Sequence, residues 1–328
     1  MTEELFNVCG IFVFVIGLCI GSFLNVVALR AFTGESIVLP ASKCPKCGAK
    51  IRPYDNIPVL SWLILGGKCR DCKNSISIQY PIVEFITGIG FLGFYFHFSK
   101  FFIDTDIIWR NAILLPFFLI LFCLAIVISI TDIKEKVVFD VHTISLAVVI
   151  VLFQFIGGNF KEAIIGLVIG ALSMEILSGI SWLLVKKRAF GTGDSYIAAS
   201  MGALLGAKMF FVALVVAVVI QALCIIPALI KKLYVGGEYK VLVTAAMFIA
   251  LVGFYKLPYF TTLSNEILEY VFVILMTIVG FYLCRLMLTI KSLKENPTYW
   301  PFGPSLLIAM FLTAFYGGII EHFFYTLM

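Results

Sequence analysis

Phe122-Cys123-Leu124-Ala125-Ile126-Val127-Ile128-Ser129-Ile130-Thr131-Asp132 is an apolar run that meets an acid across a single threonine. It closes a longer apolar stretch over residues 108–131. A bilayer core of about 30 Å requires roughly 20 apolar residues of helix, so this stretch reads as a membrane span ending at Asp132. Comparable stretches lie near residues 8–29, 81–99, 141–158, 161–185, 194–207, 209–230, 241–256, 267–288 and 303–320. The expected fold is therefore an all-α polytopic membrane protein with about ten transmembrane helices.

Composition agrees. The 328 residues are 62% hydrophobic and 13% charged, with a mean hydropathy of +1.08, which excludes a soluble domain. Thirty-two Phe and few charges leave no room for a disordered region. Met1-Thr2-Glu3-Glu4 is acidic where a signal peptide is basic, so the first span is expected to stay in the mature protein. With the N-terminus outside, only Lys100, Arg110, Lys161, Lys208 and Lys256 of the 24 basic residues fall outside. The positive-inside bias thus orients the chain and accounts for the net charge of +5 without nucleic acid. Trp109, Tyr255, Tyr259 and Trp300 read as interfacial anchors.

Three regions follow: a first span at 1–30, a polar cytoplasmic domain at 31–80, and a membrane domain at 81–328. Residues 31–80, punctuated by Pro40, Pro45, Pro53 and Pro58, read as turns and short strands with too little apolar side chain for a core. Two pairs, Cys44-Pro45-Lys46-Cys47 and Cys69-Arg70-Asp71-Cys72, lie 21 residues apart. That is close to zinc-ribbon spacing, in which two thiolate turns close on one tetrahedral Zn²⁺. Disulfides are disfavoured on the cytoplasmic side. Lys43, Lys46, Lys68 and Arg70 are expected to stabilise the thiolates, and Gly48 suits a knuckle turn. Four Cys ligands leave no open position, so the metal is structural. The remaining cysteines, Cys9, Cys19, Cys123, Cys224 and Cys284, are scattered through apolar segments as packing residues.

Asp132 has a counterpart at the same membrane face. In Phe190-Gly191-Thr192-Gly193-Asp194-Ser195 two glycines precede an acid that opens the next apolar run. Alone, the motif is equally a glycine loop with Asp as N-cap. A charged Asp at the bilayer centre costs about 2.5–3.5 kcal/mol, so acids in spans are functional candidates. Two carboxyl groups within a few ångströms cannot both ionise easily, which supplies a general base and a general acid for attack of water on a peptide carbonyl. Neither His142 nor His322 is paired with a nucleophile for a triad. Asp140, just before the fourth span, reads first as a helix cap. Glu175, mid-span in the fifth, reads as a structural residue bonded to Ser173 or Ser178, or as part of a substrate groove. Gly166 and Gly170 form a small-residue packing face.

Several motifs together resemble the bifunctional type IV prepilin leader peptidases and N-methyltransferases. They are Gly21-Ser22-Phe23-Leu24-Asn25-Val26-Val27, the cysteine domain with Asp55-Asn56-Ile57-Pro58-Val59-Leu60-Ser61-Trp62, Tyr80-Pro81-Ile82-Val83-Glu84, Asp132, Gly191 to Asp194, and Pro301-Phe302-Gly303-Pro304. The resemblance implies an intramembrane aspartyl protease of the bacterial inner membrane. Asp132 and Asp194 form its dyad, Gly191 and Gly193 its supporting loop, and prepilins or pseudopilins are cut at the cytoplasmic face. It further implies N-methylation of the new N-terminal residue from S-adenosyl-L-methionine, although no residue can be matched to a methyl-donor site and no Gly-rich methyltransferase fold is visible. Three departures stand out: Tyr196 at the family's Lys position, Phe139 where Pro is usual, and an added helical hairpin at about 233–295. The alternatives are a peptidase without methyl transfer, a channel or transporter, which would place acids at mid-bilayer in paired broken helices, and a scaffold docked through the zinc domain.

Overall fold

The first and third helices of the protein lie backbone to backbone. In the computed structural model, which describes residues 3–38, 42–99, 105–186, 188, 190–255, 279 and 301–327, α1 spans Glu3–Thr33 and α3 spans Gln79–Ser99. A Cβ added to Gly17 would stand 2.8 Å from the Cα of Gly88, and one on Gly21 2.7 Å from the Cα of Glu84. Lipid supplies no hydrophobic drive between helices, so such close contact is what holds them. Leu24 and Ala28 of α1, Val83 of α3 and Val127 and Ile130 of α4 (Thr105–Glu135) close this core. Between α1 and α3 stands one short helix, α2 (Leu60–Ile64), preceded by a 3₁₀ turn at Pro53–Asp55.

Aromatic rings tie α3 and α4 to α9 (Gly303–Leu327). Phe94 meets Phe122 edge-on at 5.4 Å and Phe311 at 5.9 Å, Phe98 stacks on Phe118 at 5.4 Å, and Phe118 touches Phe315 at 4.9 Å. At about 0.5–1.5 kcal/mol per pair beyond area burial, the cluster holds α9 against α3 and α4. α5 (Asp140–Ile156) joins α4 through the Phe117–Phe153 stack at 3.8 Å.

α6 (Phe160–Val185) and α7 (Thr192–Val235) pack through the small-residue face expected at Gly166 and Gly170. A Cβ on Gly166 would fall 2.0 Å from the Gly202 carbonyl oxygen, and one on Gly170 2.2 Å from that of Ala198. α7 carries both spans expected at 194–207 and 209–230, interrupted where Gly206 leaves helical geometry at φ 74°, ψ 167°. A break inside lipid frees carbonyls that need donors. Gln154 of α5 donates to two of them, Ala203 at 3.3 Å and Leu204 at 3.2 Å.

Residues 218–300 form a second compact unit. Its described part contains a hairpin between the end of α7 and α8 (Tyr239–Tyr255), with Gly237 at φ 72° and the Glu238 N–H on the Leu233 carbonyl at 3.0 Å. Tyr234 and Tyr239 meet edge-on across the turn at 5.9 Å.

Among the described residues six helices are long and apolar enough to cross a membrane, with Asp140–Ile156 shorter, where the sequence predicts about ten spans. Part of the difference is α7, counted once although its range holds two helical pieces that meet at the Gly206 kink. The span predicted at 267–288 lies outside the described residues, as do Tyr259, Trp300 and the side chains of Trp109 and Tyr255.

Candidate active site and metal centre

Asp132 occupies the last turn of α4. The helix stops when the Lys136 N–H closes on the Asp132 carbonyl at 3.0 Å and Lys136 turns left-handed at φ 56°. The chain leaving α4 then passes over the glycine turn: a Cβ on Gly193 would fall 2.6 Å from the Cβ of Val138, so only glycine admits this approach. Asp194 lies in the first turn of α7. Its Oδ2 accepts the Gly191 N–H at 3.2 Å, so the acid folds back on the turn from inside the helix rather than standing before it as an N-cap.

The start of α9 completes the site. Gly303 abuts Asp132 so closely that a Cβ would stand 2.5 Å from Asp132 Oδ2. Phe302 packs on Phe190, the residue before the G-x-G-D turn, with ring centroids 5.2 Å apart. Asp194 lies within electrostatic range of Asp132. Asp132 is 4% exposed, and its Oδ2 has no hydrogen-bond partner among the described residues. A buried acceptor left unpaired costs about 1–3 kcal/mol and calls for a functional explanation. The site thus gathers Asp132, Gly191, Gly193 and Asp194 with the Pro301–Pro304 segment.

The four cysteines also converge. Cys44, Cys47, Cys69 and Cys72 place their sulfur atoms within 4.8 Å of one another, with Cys44 Sγ and Cys72 Sγ 3.9 Å apart. Tetrahedral Zn²⁺ with Zn–S near 2.3 Å sets S···S at about 3.8 Å, so the donor set fits a structural zinc ion. Each pair sits on a tight turn. Cys44 N–H bonds the Ala49 carbonyl at 2.9 Å with Gly48 at φ 72°, and Cys69 N–H bonds the Asn74 carbonyl at 2.8 Å with Lys73 at φ 59°. The strands expected here shrink to single bridges, Lys43 with Lys50 and Lys68 with Ser75.

Arg70 is not spent on the thiolates as the sequence predicts. Its Nε–H and Nη2–H donate to Asp55 at 2.8 and 2.6 Å, a bidentate pair that holds the Asp55 carboxyl below its ordinary range. The loop after Asp55 then reaches the membrane helices, where the Val59 N–H donates to Glu84 Oε2 at 2.7 Å. Val59 stands at φ 60°, ψ −52°, which is strained for a β-branched residue and is stabilised here by that bond. Asn25 donates to the Gly21 carbonyl at 3.2 Å and the Tyr80 carbonyl at 3.4 Å. Three motifs that are distant in sequence therefore meet in one buried polar cluster.

Asp140 begins α5 but does not cap it. The N-cap is Phe139, with no side-chain hydrogen bond, and Asp140 is exposed. Glu175 bonds neither serine of its own helix. Its Oε1 accepts the Ser195 Oγ–H at 2.9 Å, one residue from Asp194. Only the cost of an acid in a span pointed to it; the partner lies twenty positions away.

These features define a helical membrane protein in which two carboxyl groups share one site and four cysteines form a cluster that could hold a metal ion. The family described as "Bacterial Peptidase A24 N-terminal domain" matches residues 15–98 and the "Type IV leader peptidase family" matches residues 119–226. The first range holds the cysteines and Glu84, and the second holds both acids; Pro301–Pro304 lies beyond them. Over 198 residues the chain is 36% identical to a prepilin leader peptidase/N-methyltransferase of Myxococcus xanthus, covering 60% of this chain and 56% of that protein, less than two thirds of its length. It is 33% identical over 211 residues to the type 4 prepilin-like proteins leader peptide-processing enzyme of Escherichia coli, covering 58% of this chain and 74% of that one. Against the prepilin leader peptidase/N-methyltransferase of Pseudomonas aeruginosa the identity is 31% over 215 residues, 57% of this chain and 70% of that one. No solved structure matches. The chain belongs to the type IV leader peptidase family.

Proposed function

We propose that this protein is an intramembrane aspartyl endopeptidase that removes the leader from type IV prepilins or pseudopilins, with Asp132 and Asp194 as the reacting pair and Gly191 and Gly193 shaping their loop. What supports the reading above all is the meeting of Asp132, the G-x-G-D turn and Gly303 around an unpaired buried carboxylate oxygen. One carboxylate takes a proton from water as the water oxygen bonds the scissile carbonyl carbon. The other carboxyl gives its proton to the amide nitrogen as the C–N bond breaks, leaving a leader carboxylate and a new N-terminal amine. Both acids stand at helix ends, where a polypeptide leader can reach them from water, and not at mid-span as an ion pathway requires.

Zinc bound by Cys44, Cys47, Cys69 and Cys72 holds the region 31–80 together and supplies no reacting group. Methylation of the new N-terminal residue from S-adenosyl-L-methionine rests on the relatives' names and not on a donor set in the fold. The chain crosses the bacterial inner membrane about ten times, with the Gly206 break separating two spans within α7 and an added hairpin at about 233–295. Its N-terminus is outside and its site at the cytoplasmic face. With Gly158→Cys outside and Gly237→Cys inside, a membrane-impermeant thiol reagent applied to intact cells should label the first and spare the second.

The deciding experiment incubates purified protein with a prepilin and sequences the product N-terminus. Asp132→Asn and Asp194→Asn should each abolish cleavage while thermal unfolding is unchanged, and Asp140→Asn should retain most of it. Cleavage surviving in Asp194→Asn would end the assignment. Transfer of label from S-adenosyl-L-methionine to the product separates a bifunctional enzyme from a peptidase alone.

A further inference from the structure

A carboxylate on α6 grips the turn that presents Asp194. Glu175 Oε1 accepts the Ser195 Oγ–H at 2.9 Å, and Ser195 is 7% exposed. One helical turn further along the same face, Ser178 Oγ–H donates to the Phe190 carbonyl at 3.4 Å. Positions 175 and 178 therefore hold both ends of the Phe190–Ser195 segment. Within the segment the Gly191 N–H is on Asp194 Oδ2 at 3.2 Å and the Ser195 N–H on the Gly191 carbonyl at 3.4 Å. Toward the membrane the same two helices touch backbone to backbone at Gly170 with Ala198 and Gly166 with Gly202. α6 is thus a rigid rail against α7, and its polar end meets the turn through side chains.

Glu175 also borders a cavity of about 300 Å³ lined further by Ser178, Gly179, Trp182 and Arg188. A carboxylate kept in a span and spending one oxygen on a serine next to a candidate catalytic acid is poorly explained by helix packing, which the glycine contacts already provide.

We propose that Glu175 is a positioning residue for Asp194, acting through Ser195, with Ser178 as the second jaw. The hydrogen bond fixes the first turn of α7 so that the Asp194 carboxylate faces Asp132. This rests on the two-acid reading. A 1 Å error in placing a reacting group is enough to cost about 100-fold in rate.

The test is leader cleavage by full-length protein, with kcat and KM measured separately for Glu175→Ala, Glu175→Gln, Ser195→Ala and the double variant Glu175→Ala, Ser195→Ala. Glu175→Ala and Ser195→Ala should each lower kcat about tenfold with KM within about twofold, since the loss is in orientation and not in substrate binding. Glu175→Gln keeps an acceptor oxygen for Ser195 and should recover most of the rate. The double variant should be no slower than either single one, because both remove the same bond. Ser195→Ala removes one buried hydroxyl and keeps the test alive if the Glu175 variants fail to fold. Unchanged kcat in both single variants, multiplying losses, or a Glu175→Gln rate as low as Glu175→Ala would each overturn the proposal. Cleavage persisting in Asp194→Asn would instead overturn the two-acid reading, so the two failures are distinguishable.

Discussion

The cysteine region and the membrane bundle hold their key side chains by opposite means. Around Cys44–Cys72 there is almost no buried apolar surface, and shape comes from short backbone turns, the thiolate set and the Arg70–Asp55 pair. Around Asp132 and Asp194 polar contacts are few, and shape comes from atoms that are missing: Gly193 against Val138, Gly303 against Asp132, Gly166 and Gly170 against the α7 backbone. In water, directional bonds between exposed groups contribute little, so a small domain relies on a metal. In lipid, close backbone approach carries the packing, so a single added methyl is the sharpest perturbation.

The largest effect expected from this contrast is Gly170→Val. Its Cβ would meet the Ala198 carbonyl at 2.2 Å, a backbone atom that cannot move aside. Overpacking of this kind costs about 1–3 kcal/mol or more, and thermal unfolding in detergent should show a lowered midpoint together with lost cleavage. Gly303→Ala comes next and should separate the two losses. The atom it meets, Asp132 Oδ2 at 2.5 Å, ends a flexible side chain, so the fold adjusts but the carboxylate is displaced. Cleavage should fall by about 100-fold with little change in unfolding. Equal cleavage in Gly303→Ala and wild type would mean that α9 does not shape the site.

In the cysteine region the expected loss is local. Cys44→Ser with Cys69→Ser should remove about one Zn per chain, measured by elemental analysis. It should open residues 42–76 to protease while α3 and α4 stay protected. Unfolding of the whole chain instead would mean that the two regions are not built independently.

How much of this could be read from the sequence follows the same division. The bundle was legible because hydropathy and charge bias are long-range averages, and Asp132, Asp194 and the cysteines stood out as residue types that a span or a knuckle cannot hold idly. Partners were not legible. Glu175 reads as bonded within its own helix until α6 and α7 are docked, and Arg70 reads as a thiolate neighbour until the turn at Pro53–Asp55 brings up Asp55. The left-handed Val59 is concealed because a β-branched residue is the last expected there, and its bond to Glu84 is tertiary. How the two predicted spans in α7 meet is likewise invisible, since the carbonyls freed at the Gly206 kink are paired by Gln154 from another helix.

The smallest effect expected is in pH, and it tests whether the Arg70–Asp55 pair belongs to the cysteine region's own stability. Arg70 holds the folded Asp55 carboxyl below its ordinary value of 3.8. Folding therefore favours the ionised form, so the pair's contribution is fully present above about pH 5 and is lost as pH falls through 4 and below. Thiolates bound to zinc are also protonated in acid, so the wild-type profile alone mixes two causes. Asp55→Asn separates them because it removes the carboxylate and leaves the four cysteines. Protease resistance of residues 42–76 should be slightly lower in Asp55→Asn than in wild type at pH 7, and the gap should close toward pH 3. A gap that stays constant with pH would assign the effect to the lost shape of the Pro53–Asp55 turn rather than to charge. A gap that widens in acid would reverse the sign and remove the ion pair from the account of how this region stands without a core.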